Sequence, residues 1–124
     1  MYLITGSEAP RFQLPGVEFT ALAAPSRGST DVCTWQITVE PALRSDQSHT
    51  LDHDEIFMVI SGALQLSPDG PVVRAGDAAV VPAGTPIQVV NPGTEPARAY
   101  VAIRAGFTPT MADGSVLGTP PWAV

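Results

Sequence analysis

The sequence predicts an antiparallel all-β domain, a sandwich or barrel of about eight to ten short strands. Short runs rich in β-branched and aromatic residues recur along the chain, and turn residues bound each of them. The 11 glycines and 13 prolines are spread over all 124 residues, which disfavours long helices. In addition, no window of about a dozen residues shows the 3.6-residue period of an amphipathic helix.

The predicted strands are separated by turns of specific chemistry. Ser61-Gly62 indicates a tight reversal between two of them. In the run from Ser67 to Pro71, Pro68 restricts φ to the value that the second position of a β-turn needs, and Gly70 can adopt a positive φ. Similar combinations of glycine, proline, asparagine and aspartate occur at 76–77, 82–84 and 91–93. The strands are predicted at 17–23, 33–40, 55–60, 63–67, 72–74, 78–81, 87–90 and 99–105.

Two of these strands, 55–60 and 99–105, are apolar on both faces. In the first, Phe57 lies on one face, and its neighbours Ile56 and Met58 lie on the other. An antiparallel sheet with one face in water alternates more cleanly than this. We therefore expect the second face to be covered by another sheet, a terminal segment or a second subunit, and for a barrel this small we predict a homodimer.

The chain length predicts one domain over residues 1–124, with a core at about 30–108. Residues 1–10 are expected to form an edge strand or an exchanged arm. The Pro-Pro-Trp segment near the C-terminus cannot be helical, and its Trp122 calls for burial. No signal-peptide pattern and no apolar run of roughly 20 residues is visible, so we expect a cytoplasmic protein.

Charge and cysteine content exclude several functions. The 16 alanines against one asparagine and no lysine suggest a bacterial source with a GC-rich genome. The formal net charge is −6 and the chain has no lysine. Nucleic acids and anionic membranes are therefore not expected partners, and a lysine Schiff base or a P-loop lysine is impossible. Cys33 is the only cysteine, so no intrachain disulfide forms, and we expect a buried, inert thiol.

The residues that could carry chemistry are concentrated in one short stretch. Both histidines, His49 and His53, lie four residues apart, and four of the twelve acidic residues lie within 46–55. Neutral imidazole and carboxylate groups at close range are what a borderline divalent metal requires. His49, His53 and Glu55 share sequence parity, so an extended chain places them on one face, whereas a turn at 52–54 moves His53 off it.

The stretch 44–105 resembles the two motifs of the cupin superfamily. His49, Glu55 and Gly62 occupy the frame of the first motif, in which a glycine is followed by His-x-His, a glutamate and a second glycine. The frame of the second motif is matched without insertion by Gly76, Pro82, Gly84 and Asn91. The resemblance implies a small single-domain jelly-roll barrel, a double-stranded β-helix, with its site inside. It implies no particular reaction.

The resemblance also indicates how the metal site departs from the family pattern. Cupins that bind metal usually take two histidines and one glutamate from the first motif and one histidine from the second. Here Leu51 and Ile87 stand at two of those positions. We predict that His53 replaces one of them, giving a His49, His53 and Glu55 site for iron, manganese, nickel or zinc.

An interpretation of the two histidines without a bound metal is equally consistent with the sequence. His53 is then a solvated ion pair with the neighbouring acids, and His49 forms a hydrogen bond inside a partly polar pocket. Four further side chains are predicted to line the interior, either as core or as the wall of a pocket for an apolar or aromatic ligand. These are Trp35, Leu51, Phe57 and Ile87.

Three functions follow from these observations. The first is a metal-dependent enzyme that acts on a small organic molecule by oxygenation, isomerisation or lyase chemistry. The second is a non-catalytic or regulatory barrel that binds a small molecule without metal. The third is a structural or regulatory module that works through its dimer surface. The sequence favours a cupin barrel with a degenerate metal site that binds a small organic ligand, and it assigns no reaction.

Overall fold

The computed structural model describes all 124 residues and contains ten strands and two short 3-10 helices. The all-β prediction is confirmed, although residues 87–90 form isolated bridges rather than a strand. The helices are Pro25–Arg27 and Pro121–Ala123. The second corrects the expectation that the Pro-Pro-Trp segment cannot be helical, because proline is tolerated at the first position of a helix, where its missing N–H has no intrahelical partner. The strands are β1 (Arg11–Leu14), β2 (Val17–Ala21), β3 (Val32–Val39), β4 (His49–Leu51), β5 (Glu55–Ser61), β6 (Ala63–Leu64), β7 (Val73–Arg74), β8 (Ala78–Val81), β9 (Ala97–Arg104) and β10 (Pro109–Met111).

One layer of the fold is a six-stranded antiparallel sheet in the order β1-β2-β3-β9-β5-β8. In β3, β5 and β9, alternate residues are buried and the intervening ones face outward. This alternation follows from the two-residue period of a strand, which sends successive side chains to opposite faces. The inward-facing residues of β3 are Cys33, Trp35, Ile37 and Val39.

The second layer is assembled from short pieces. β10 pairs with β4, and β6 pairs with β7. Residues 87–90 join these two pairs, because His49 of β4 bridges Ile87 and Gln65, just after β6, bridges Val90. A cluster of 18 buried apolar residues from both layers lies between them, which makes the molecule a barrel with an apolar interior.

The chain termini differ in how they attach to this barrel. Residues 1–10 contain no strand, so the edge strand begins only at Arg11. Near the other end, the ring of Trp122 stacks on Phe19 with centroids 3.8 Å apart. The Cys33 thiol is buried and donates to the carbonyl of Ala123 at 3.4 Å, which fits the inert role expected for it.

The outer face of the doubly apolar strands is not covered by this chain. Ile56 and Met58 of β5 retain 37% and 40% exposure, and Val80 of the neighbouring edge strand β8 retains 62%. Because Ile56 lies opposite Val80 in the β5–β8 register, these side chains form one apolar surface. The homodimer predicted to cover it stays a prediction.

Candidate functional site

Glu55 is a carboxyl group inside an otherwise apolar wall. It is the first residue of β5 and pairs with Val81 of β8 on one side and Ile103 of β9 on the other. Since it shares the parity of the buried Phe57, its side chain points into the barrel and retains only 5% exposure. Its Oε2 atom is buried and has no hydrogen-bond partner in the protein.

This burial changes the protonation state of the carboxyl group. Desolvation raises the pKa of Glu55 to about 8, because removal from water disfavours the charged form. The group is therefore mostly neutral at pH 7. A neutral carboxylic acid carries one O–H donor as well as acceptor oxygens, so it can donate a hydrogen bond as well as accept one.

His49 lies on the inner face of the opposite layer. Its backbone N–H donates to Ile87 O at 3.0 Å, and the N–H of Ile87 donates back to His49 O at 2.8 Å. Directly opposed residues of an antiparallel pair project to the same face, and Ile87 is 1% exposed. The half-buried imidazole of His49 therefore faces inward. Burial lowers its pKa, which leaves a neutral ring with one donor and one acceptor nitrogen.

His53 does not share that face, because the chain bends between β4 and β5. Residues 52 and 53 form the bend, and this is the turn that the sequence left open. The Nδ1 atom of His53 lies 3.1 Å from the Asp52 carboxylate. Asp52 also accepts the backbone N–H of Thr108 at 2.7 Å, and this hydrogen bond is the main reason that its pKa is lowered.

Asp52 and Asp54 therefore both stabilise the bend between β4 and β5. Besides Asp52, Asp54 accepts the backbone N–H of Ala83 at 2.9 Å. Each carboxylate ties the bend to a loop distant in sequence. Two of the four acidic residues that suggested a metal site thus have a structural role, because they stabilise the bend.

The arrangement can be tested against a metal ion. Nowhere in the chain do three or more His, Cys, Asp or Glu side chains converge as a group that could hold one. At the two positions where metal-binding cupins usually have histidine, Leu51 and Ile87 are buried in the apolar cluster. The residues as placed do not fit a three-ligand metal centre, and the assignment of His49, His53 and Glu55 as ligands stays a prediction.

The four side chains predicted to line the interior all belong to the buried apolar cluster. Their exposures run from 1% to 6%: Trp35 4%, Leu51 6%, Phe57 4% and Ile87 1%. They pack around the inner faces on which Glu55 and His49 lie. The structure thus places one polar group on the inner face of each layer, Glu55 on one and His49 on the other, beside an apolar lining, and it leaves His53 in the bend.

One motif residue has a structural role that the sequence did not reveal. Asn91 is 1% exposed, and its Nδ2 lies within hydrogen-bond distance of three backbone carbonyls, at 2.9 to 3.2 Å. Its Oδ1 accepts the N–H of Gly93 at 2.9 Å. The side chain therefore joins the turn after residue 90 to the end of β3. Its fixed place in the motif frame was the only signal for it.

Comparison with known families agrees with this architecture. The family model described as a cupin domain matches residues 35–103, more than half of the chain. The chain belongs to the cupin family. The match spans β3 to β9 and therefore includes both His49 and Glu55.

Solved structures similar to this cupin share its fold. The polyketide cyclase RemF from Streptomyces resistomycificus has a TM-score of 0.74 and 17% identity, with 97% of this chain and 86% of that chain covered. A sugar phosphate isomerase of a cupin superfamily from Silicibacter pomeroyi has a TM-score of 0.70 and 22% identity, covering 95% and 93%. An RmlC-like cupin from Shewanella frigidimarina has a TM-score of 0.68 and 16% identity, with 84% of this chain and 90% of that chain covered.

Identities this low show the fold alone. No curated protein matches this cupin. The structure contains no helix that could span a membrane.

Proposed function

We propose that this cupin binds a small organic molecule inside its barrel, with Glu55 and His49 as the polar contacts. The observation that carries the proposal is the buried Oε2 atom of Glu55, which no group of the protein satisfies. A buried polar atom without a partner costs free energy, on the order of 1–3 kcal/mol. A ligand that hydrogen-bonds to this atom removes that cost.

The neutral polar groups and the apolar side chains of the site favour an uncharged or weakly polar ligand. The neutral acid of Glu55 and the neutral imidazole of His49 each offer a donor and an acceptor. Leu51 and Ile87 supply apolar surface where other cupins carry metal ligands. Ligand sites commonly combine such apolar walls with a few convergent polar groups.

The named relatives are consistent with a small organic ligand. One is described as a polyketide cyclase and another as a sugar phosphate isomerase. Both names refer to small organic substrates, although they differ in reaction type. We therefore propose the ligand class for this cupin and assign no reaction.

A binding screen tests the proposal. The ¹⁵N-labelled protein is titrated with acetylacetone, phenol and glucose, and amide shifts are followed by NMR. We expect at least one probe to shift the amides around Glu55 and His49, and both Glu55→Gln and His49→Ala to weaken that binding. The matched control is Glu95→Gln, which changes an exposed carboxyl group and should leave binding unchanged. If no probe shifts the interior amides, or if both site variants bind as the native chain does, the proposal is wrong.

A divalent metal ion is the second candidate, and the same unpartnered carboxyl oxygen favours it. Together with His49, Glu55 offers two donor groups that suit iron, manganese, nickel or zinc. A third ligand from His53 requires that its ring leave the Asp52 carboxylate. Elemental analysis after incubation with each metal decides the matter. Uptake near one equivalent that His49→Ala abolishes and His53→Ala reduces supports a metal site, and less than about a tenth of an equivalent excludes it.

We also propose that this cupin is a homodimer in which a second copy covers the apolar surface of Ile56, Met58 and Val80. A two-fold axis places the same patch of each subunit against the other, so a flat apolar face is self-complementary. Light scattering at micromolar concentration should give twice the chain mass of 12.9 kDa. The double variant Ile56→Glu, Met58→Glu should give one chain mass, whereas Val116→Glu, at an exposed position away from this face, should leave the dimer intact. A native monomer would refute the proposal.

A further inference from the structure

A polar groove lies on the outside of the barrel, away from Glu55 and His49. Its volume is about 520 Å³, within the usual range for small-ligand sites. The floor is the outer face of β1, β2, β3 and β9, and Gly6 and Ser7 of the N-terminal segment also line the groove. Its charged and polar floor residues are Arg11, Glu18, Thr20, Gln36, Thr38 and Arg98.

Strand register places these side chains in two parallel rows. Glu18 lies opposite Thr38, which lies opposite Arg98. One step along the strands, Thr20 lies opposite Gln36, which in turn lies opposite Tyr100. Because all of them project outward, the floor presents a guanidinium group, an amide and several hydroxyls within a few ångströms of one another.

Arg98 is the charged group of this floor that no carboxylate neutralises. The other arginine, Arg11, lies 3.6 Å from Glu18, whereas Arg98 has no carboxylate within ion-pair distance. With the Gln36 amide turned so that its oxygen faces the guanidinium, that oxygen accepts from Arg98 Nε at 3.1 Å and from Nη2 at 2.8 Å. One edge of the guanidinium is thus held by a neutral partner, and the edge that carries Nη1 remains free.

The local charge favours an anion. The groove contains two arginines and one glutamate, a net charge of +1 in a chain whose net charge is −6. A second cleft of about 440 Å³ provides a comparison, because Arg74 and Glu95 there cancel. Of these two clefts, only the groove over β3 and β9 combines a net positive charge with a guanidinium group that is held in place.

We propose that this groove binds a small organic anion, a carboxylate or a phosphate ester, through the guanidinium group of Arg98. The free edge of the guanidinium matches the planar fork of donors that carboxylate and phosphate oxygens accept. The hydroxyl groups of Thr20, Thr38 and Tyr100 provide donors and acceptors for hydroxyl groups of the same ligand. Gln36 is a positioning residue, because it orients Arg98.

The test is an NMR titration of the ¹⁵N-labelled full chain with inorganic phosphate and, separately, with citrate. Sodium chloride at the same ionic strength serves as the reference. We expect saturable shifts of the amides of Thr20, Gln36, Thr38 and Tyr100. Arg98→Gln should weaken binding about tenfold or more, because it removes the charge-assisted hydrogen bonds. Saturation by phosphate alone assigns a phosphate ester, and saturation by citrate alone assigns a carboxylate.

Two variants separate a built site from general charge attraction. Arg104→Gln makes the same charge change at an exposed position of the same strand, outside the groove, and should alter the affinity by less than about twofold. Gln36→Ala leaves the charge unchanged and should weaken binding about threefold, because Arg98 loses its orienting partner. Equal weakening by Arg98→Gln and Arg104→Gln, or shifts no larger than those with sodium chloride, would overturn the proposal.

Discussion

Glu55 of β5 lies directly opposite Ile103 of β9, so a carboxyl group and a branched aliphatic side chain share the inner face of the barrel. The partner on the other side, Val81, is also aliphatic. The surroundings therefore supply neither charge nor hydrogen bond to the ionised form, and the pKa of Glu55 rises to about 8 through desolvation. The stability of the fold is thereby linked to pH.

We predict that Glu55→Gln removes a pH dependence from the stability of the protein. The pKa of Glu55 is about 8 in the folded chain and about 4.5 when unfolded, so between these values the folded state holds a proton that the unfolded state has lost. Native stability therefore falls as pH rises through this window, by up to about 1.4 kcal/mol per pH unit. Glutamine does not titrate and lacks this slope.

Urea unfolding of both proteins at pH 5, 6, 7 and 8 measures the effect. The advantage of Glu55→Gln over the native chain should grow with pH, and groups that titrate in both proteins, such as His49, cancel in the comparison. Parallel stability curves for the two proteins would mean that Glu55 ionises at its ordinary pKa.

The fold could be predicted because its turns depend on local chemistry. Gly62 and Gly84 both have positive φ, and Pro82 stands before the second of them, so these residues mark the reversals wherever they occur. The inward position of Glu55 was also predictable, because its parity with Phe57 decides the face. Both inferences need only neighbouring residues and the period of a strand.

The position of His53 could not be predicted, because it depends on contacts distant in sequence. Asp52 accepts the N–H of Thr108, and Asp54 accepts that of Ala83. These two hydrogen bonds hold the bend that separates His49 from Glu55. No local sequence pattern shows which carboxylate accepts a hydrogen bond from a backbone N–H dozens of residues away. From the sequence alone, the same acidic residues were therefore equally consistent with metal ligands. The outer groove was missed for a similar reason, because Gln36 and Arg98 meet only through the register of β3 and β9.

We predict that Gly62→Ala destabilises the fold more than Gly114→Ala does. Both glycines have positive φ, at +72° and +87°, so alanine is strained at each. At Gly62 a Cβ atom would also lie 2.7 Å from the carbonyl oxygen of Pro96, whereas at Gly114 it would meet nothing within 4 Å. We expect a cost of about 1 kcal/mol at Gly114 and about 3 kcal/mol at Gly62, measured by urea unfolding. Equal costs would show that the backbone near Pro96 yields easily.

We predict that Leu51→His combined with Ile87→His increases metal binding. The resemblance to metal-binding cupins places histidine at both positions, and His49 and Glu55 are already present on the inner faces. Four donors should hold zinc through dialysis at about one equivalent, above the native content measured in parallel. The matched control, Val116→His with Leu117→His, adds two histidines at exposed positions and should not bind zinc as tightly. A folded double variant without a gain would mean that His49 and Glu55 are not oriented toward a common ion.

Trp122 provides a prediction about an unsatisfied donor. Its ring stacks on Phe19, and its indole Nε1 is buried without a hydrogen-bond partner. Phenylalanine keeps an aromatic ring for the stack and removes the orphaned N–H, so Trp122→Phe should change the free energy of unfolding by less than about 1 kcal/mol. Trp122→Ala loses the stack and leaves a cavity against the core, and should cost about 2–3 kcal/mol because the side chain is only half-buried. Urea unfolding of the two variants gives both values. A loss in Trp122→Phe as large as that in Trp122→Ala would contradict this prediction.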